Sequence, residues 1–230
     1  MNFKSHKFAG CIESYKSLDQ LNFGIITTHI TKLPFFEDDV FFGMQAMNVG
    51  IVDQIITQYE YALLHEYNKI ERTSDSTMAV SALSQMWIYA LYEVLRMWRD
   101  RKFEFEKLRT NGGIKQKVKN MVDDPLNQTI NARKKQMLRF NDDANYREQI
   151  NTVWKSIEEI YRAAELVRMN LAKHCAPGKD NMIPISPGYP RINDWCGALD
   201  FQLLDKDGYY TTLNRRDIAD ALRNFFTLVT

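Results

Sequence analysis

In the segment 145–173 the apolar residues Val153, Ile157, Ile160, Ala164, Val167 and Leu171 recur at steps of four and three. A helix turns once in about 3.6 residues, so this spacing puts all six on one stripe of a helix about eight turns long. A stripe of that length has to be buried against other elements, and an alternating strand cannot use it. Two more segments repeat the pattern. Phe42, Val49, Val52, Ile56, Tyr59 and Leu63 predict a helix over 38–68. Val80, Leu83, Trp87, Ala90, Val94 and Met97 predict another from Thr77 past Trp98. Ile88, Leu91, Leu95 and Trp98 widen its apolar surface almost all round, which makes it the central helix.

The punctuation fits a bundle. Pro34 is followed by Glu37, Asp38 and Asp39, where a helix N-terminus favours negative charge. A polar break at 73–76 offers several N-caps, and Gly112-Gly113 closes the central helix. Asp124-Pro125 reads as N-cap and first residue of a further helix, which Asn141-Asp142-Asp143 breaks or kinks. Pro177-Gly178 stops the helix that ends near residue 173. The expected fold is therefore mainly α, an up-and-down bundle of four to five long helices. The ends differ. Residues 1–34 form an N-terminal extension, with a β-branched run at 23–30 that predicts a short strand. Residues 35–175 form the bundle. Residues 176–230 pack on it as a Pro-rich loop, a β-hairpin and a terminal helix. Leu199, Phe201 and Leu203 alternate with polar residues, Lys206-Asp207-Gly208 makes the turn, and the returning strand ends at Leu213. Asn214 caps the last helix, with Ile218, Leu222, Phe225 and Val229 inward.

Composition excludes several classes. The formal net charge is +1, so any polyanion has to be met by a local patch. Cys11, Cys175 and Cys196 form too sparse and odd a set for a disulfide framework, which makes a reducing, cytoplasmic compartment the expectation. Residues 1–10 lack the apolar run of a secretory leader, and no stretch approaches 18 uninterrupted apolar residues, so no membrane association is expected. His174, Cys175 and Cys196 lack a suitably spaced fourth ligand, so no metal is expected. Asp205-Lys206-Asp207-Gly208 opens like a calcium loop but has no acidic completion. No phosphate-binding Gly-Lys loop, dinucleotide fingerprint or nucleophile elbow is present, and no cofactor is implied.

One motif carries chemistry. Arg168 and His174, with five residues between them, stand at the C-terminal end of a bundle helix, in Arg168-Met169-Asn170-Leu171-Ala172-Lys173-His174. The motif resembles that of the HEPN superfamily, an Arg, four to six residues and a His on a bundle of four or five helices. The resemblance spans about 38–175. It implies a symmetric homodimer with the motifs facing across the interface. It also implies metal-independent RNA cleavage in toxin, anti-phage and CRISPR settings, or a non-catalytic role as antitoxin partner or scaffold. Arg168 and His174 are then the catalytic pair, with Asn170, Lys173 and Glu93 in support and a cognate antitoxin as a possible partner. The family often has Asn, Asp or His directly after the Arg; this chain has Met169 there and Asn170 one later.

The chemistry suits the residues. Cleavage without metal needs a group that moves a proton near neutral pH, and a fixed cation beside the phosphate. An imidazole with a pKa near 6.5 serves the first and a guanidinium the second. Six residues of ideal helix rotate through about 600°, leaving the two side chains about 120° apart. They converge only if the helix unwinds near Lys173 or if two protomers supply one each. The competing reading extends the stripe one step past Leu171 and makes His174 a core residue closing the helix.

Residues 99–139 contain twelve Lys/Arg and five Asp/Glu. Lys115, Lys117, Lys119, Arg133, Lys134 and Lys135 are the candidate RNA-tracking cations, unless the segment is simply a solvated helical hairpin. Glu93 either orients the motif or pairs with Arg96 or Arg99. Tyr189 and Trp195 in the Pro-rich loop are expected to cover the bundle end beside His174. Two functions follow: a HEPN-like RNA-binding protein or metal-independent endoribonuclease, or a non-catalytic helical interaction protein with a structural His174.

Overall fold

The inward stripes of the long helices find their partners in other helices. The computed structural model describes residues 15–229 apart from 71, 123 and 188; the expectations for residues 1–10, Cys11 and the Val229 side chain lie outside the described residues. After a 3-10 turn (Leu18–Gln20) come α1 (Gly24–Ile30), α2 (Val40–Ile70), α3 (Ser76–Thr110), α4 (Ile114–Asn120), α5 (Gln128–Asp142) and α6 (Ala144–Ala172). Three strands, β1 (Arg191–Ile192), β2 (Leu199–Leu204) and β3 (Tyr210–Leu213), precede α7 (Arg215–Val229). The fold is mainly α, as the spacing predicts.

α3 is the central helix and packs on both α2 and α6. Val80, Trp87, Ile88, Leu91, Val94, Leu95 and Trp98 are buried along it, whereas Ala90 lies exposed. On α6 the whole stripe from Val153 to Leu171 is buried. The strands form one antiparallel sheet in the order β1-β2-β3, with Phe201 opposite Leu213 and Leu204 opposite Tyr210. β1 adds a third strand to the expected hairpin. Leu199, Phe201 and Leu203 face the core, while Asn214 and Asp217 cap α7 reciprocally, each side chain accepting the other's N–H.

Four expectations change. Residues 24–30 are helical: Ile26 and Ile30, one turn apart, are fully buried where α1 meets α2 and α7. A Cβ on Gly50 of α2 would sit 2.7 Å from the Thr27 N, so α1 lies backbone against backbone on α2. That contact, invisible in local alternation, overrides β-propensity. For the same reason Pro34 is not a packing boundary, since α1 shares the core of the bundle. Third, α5 begins at Gln128 behind Asn127, whose Oδ1 accepts the Ile130 N–H at 3.0 Å; Asp124-Pro125 forms a turn before it.

The fourth change is on α2. Phe42, Val49, Ile56 and Leu63 are buried as predicted, but Val52 and Tyr59 point outward. Their places on the inner face are taken by Asp53, Thr57 and Glu60, all fully buried. Arg215 of α7 meets them: its Nε donates to Glu60 at 2.7 Å, Nη1 to Asp53 at 2.5 Å and Nη2 to Thr57 at 2.9 Å. Arg223 bridges Asp53 and Asp220, and Arg216 donates to Asp220 at 2.9 Å. Burial works against the Arg215 charge, but Glu60 and Asp53 overcome it and hold its pKa above the ordinary arginine value. Removing one partner from such a buried set strands a charge, at a cost of about 3–5 kcal/mol.

The α1–α2 connection stores backbone strain. Phe35, fully buried, has φ 74°, a left-handed geometry that bulky residues avoid. It is held on all sides. Trp98 Nε1 donates to the Pro34 carbonyl at 2.7 Å and Gln136 Nε2 to the Phe35 carbonyl at 3.0 Å, while Phe105 meets the ring edge to face.

Candidate functional site

The end of α6 is built by a reversal of the chain. The helix stops at Ala172, Lys173 is its C-cap, and His174 adopts φ 54°. The Cys175 N–H then reaches back to the Met169 carbonyl at 3.2 Å, six residues earlier. This turn puts histidine at the left-handed position after the helix where glycine is usual. The reversal takes His174 off the buried stripe: Leu171 and Cys175 are buried, and His174 between them is exposed. It is therefore not a core residue closing the helix. The stripe could reach it only if the helix ran through 174, and the turn before Pro177-Gly178 prevents that.

Arg168 lies one and a half turns back on α6, with 27% of its side chain exposed. Its guanidinium carbon sits 4.7 Å from the Tyr92 ring centroid, and Nη2 is 3.5 Å from Glu93 Oε1. Glu93 also accepts from Arg96 at 2.6 Å, so it pairs with both arginines. Tyr92 stacks on Tyr161 at 5.5 Å, and Arg99 lies 5.3 Å from Tyr161 and 5.4 Å from Phe103. Arginines and aromatic rings thus alternate along the α3–α6 seam from Arg168 to Phe103. Tyr92 and Tyr161 are buried, so their rings hold the guanidiniums in place, and of these three rings only Phe103 is exposed.

Asn170 has a different job from the one expected. It is fully buried, its Nδ2 donating to the Leu204 carbonyl at 3.0 Å and its Oδ1 accepting the Leu204 N–H at 2.8 Å. It ties α6 to the end of β2. Lys173 is exposed beside His174. Among the described residues no hydrogen bond or ion pair joins Arg168 to His174.

The basic stretch is divided. Arg133 pairs with Glu104, Lys102 with Glu106, Arg101 with Asp39 at 3.2 Å and Arg139 with Glu37 at 3.5 Å, so much of its charge is neutralised within the fold. Lys115, Lys117 and Lys119 are exposed on α4, Lys135 is exposed on α5, and Lys134 is half-buried. Arg168 is level with Tyr92, and the 18 residues from there to Thr110 span about 27 Å. The α4 lysines follow that end of α3, so the structure does not gather them around the Arg–His motif.

Tyr189 and Trp195 do not cover the bundle end; 78% and 79% of their surfaces are exposed. Cys175 and Cys196 are buried free thiols, and burial pushes the Cys196 thiol well up, away from the reactive thiolate. Among the described residues no group of three or more His, Cys, Asp or Glu is placed to hold a metal. α2 is long and apolar enough to cross a bilayer by length and composition, which the sequence reading missed, but 44% of its apolar window is buried in the fold. Also missed was the α2–α7 ion network. Its signal was there: Asp53 and Glu60 are seven residues apart on the inner face of an apolar helix, and two adjacent arginines open α7. No family model, curated protein or solved structure matches this chain.

Proposed function

We propose that this chain is a HEPN-like RNA-binding protein, with metal-independent endoribonuclease as its reaction class. The observation that carries the reading is at the end of α6. A histidine that continued helix would have buried is turned out into solvent, close behind an arginine held by Tyr92 and Glu93. In the reaction the ribose 2′-hydroxyl attacks the adjacent phosphorus and the 5′-oxygen leaves. His174 takes the hydroxyl proton as general base, and the leaving oxygen gains a proton from solvent. Arg168 neutralises charge on the phosphoryl oxygens. Because no hydrogen bond or ion pair joins the two side chains, bound RNA or a second protomer has to bring them to one phosphate. A toxin or defence setting with a cognate antitoxin is part of the proposal through the resemblance alone.

The test uses the full chain with labelled single-stranded RNA in excess chelator. Wild-type protein is expected to bind and cleave. Arg168→Ala and His174→Ala are each expected to lose cleavage by about 10²-fold or more with folding intact, and Arg168→Ala also to weaken binding. Activity regained on mixing the two variants would show that the residues come from different protomers. Wild-type protein that neither binds nor cuts RNA would overturn the reading. The second reading, a non-catalytic interaction protein, no longer has a core His174 behind it, but it gains support from the outer face of α2.

A further inference from the structure

We infer that the cleft between α1, the start of α6 and the end of α7 binds a free aromatic amino acid. Lys32 takes its carboxylate, Glu148 its ammonium, and a floor of phenylalanine rings its side chain. The cleft has a volume of about 490 Å³, within the roughly 300–1,000 Å³ of small-molecule sites. Its floor is apolar and belongs to the core: Leu33, Pro34, Val153, Phe225 and Phe226 are all buried. The Phe225 and Phe226 rings lie 5.1 Å apart at 49°, and the His29 imidazole stacks on Phe226 at 6.1 Å. Rings spaced and tilted in this way offer a further aromatic ring both a face and an edge.

The walls supply the charge. Lys32 stands just past the end of α1 and Glu148 in the second turn of α6; both are exposed and line the same cleft. Among the described residues neither side chain has a hydrogen-bond or ion-pair partner, although opposite charges do meet nearby, as Arg139 meets Glu37 at 3.5 Å. Glu148 also borders a second hollow with Arg109 and Arg147 and pairs with neither. Two opposite charges that share a cleft without touching leave room for a molecule carrying both signs. A free amino acid has its ammonium and carboxylate on one carbon atom, so a single molecule satisfies both walls while its side chain lies on the floor. A simple aromatic acid would leave Glu148 unmatched, and a hydrocarbon would shield both charges from water without pairing either, which is costly. Gln149, exposed on the same wall as Glu148, adds an amide that can orient the ligand. Thr152 of this cleft precedes Arg168 by 16 residues on α6, or about 24 Å, so the site is separate from the Arg–His motif and does not rest on the RNA reading.

The test is an NMR titration of the full chain with L-phenylalanine, expected to bind with a Kd of about 0.1 mM and to shift amide signals within 29–34 and 145–153. Phenylalaninamide lacks the carboxylate and N-acetyl-L-phenylalanine the ammonium; each is expected to bind about tenfold more weakly. Lys32→Ala and Glu148→Ala change exposed residues, so both variants should fold. Lys32→Ala is expected to weaken phenylalanine about tenfold and leave phenylalaninamide unchanged, and Glu148→Ala to weaken phenylalanine and leave N-acetyl-L-phenylalanine unchanged. This crossed pattern requires each wall to touch its own group of the ligand. No shift at about 10 mM phenylalanine would overturn the inference. So would equal affinity for the three ligands, or phenylalanine binding untouched by both substitutions. N-acetyl-L-phenylalanine bound as tightly as phenylalanine would make the occupant a peptide C-terminus and overturn it as well.

Discussion

His174 sits in a backbone geometry that glycine adopts at lower cost. A left-handed conformation costs a side-chain-bearing residue about 1 kcal/mol, less for the few types that tolerate it. His174→Gly should therefore keep this turn and raise thermal stability by up to about 1 kcal/mol, or some 2–4 °C for a chain of this size, while RNA cleavage is lost. Stability that rises as function falls is the signature of a residue kept for its chemistry. A melting temperature that drops sharply would instead give the imidazole a structural role. Sequence spacing singled out this residue but left its surroundings open between solvent and core. The stripe of α6 runs through Leu171, and only the turn geometry before Pro177 shows that it stops short of His174. Asp53 and Glu60 were passed over for a related reason: a charged residue on an apolar stripe reads as a solvent position until it is matched with its partner, 155 or more residues away.

At the scale of elements, the long helices were legible because their stripes run for many turns, which single side chains cannot disguise. α6 was expected over 145–173 and spans Ala144–Ala172. Short elements were not legible. α1 owes its helix to contact with α2 and α7, and α4 to its place between α3 and α5. The junction of α6 with β2 depends on Asn170. Its amide takes the place of a neighbouring strand at Leu204, matching one donor and one acceptor. Asn170→Ala leaves both backbone groups unpaired in the core, so we expect a stability loss of about 1–3 kcal/mol in denaturant titration. If Asn170 served RNA chemistry directly, the substitution would leave stability unchanged and reduce cleavage alone.

Across the whole molecule, the exposed lysines of α4 and the arginine–aromatic seam are kept apart. The alternating arginines and rings lie along the α3–α6 seam and lead to His174, while the exposed lysines of α4 stand at the far end of α3. The sequence could count the basic residues of 99–139 but could not show that Glu104, Glu106, Asp39 and Glu37 neutralise several of them. Affinity for RNA should then depend on stacking as well as on phosphate contacts. The most direct measurement is amide hydrogen exchange of the full chain with and without single-stranded RNA. The account predicts new protection at 168–176 and along 89–99. Protection confined to 114–120, or no change anywhere, would contradict it.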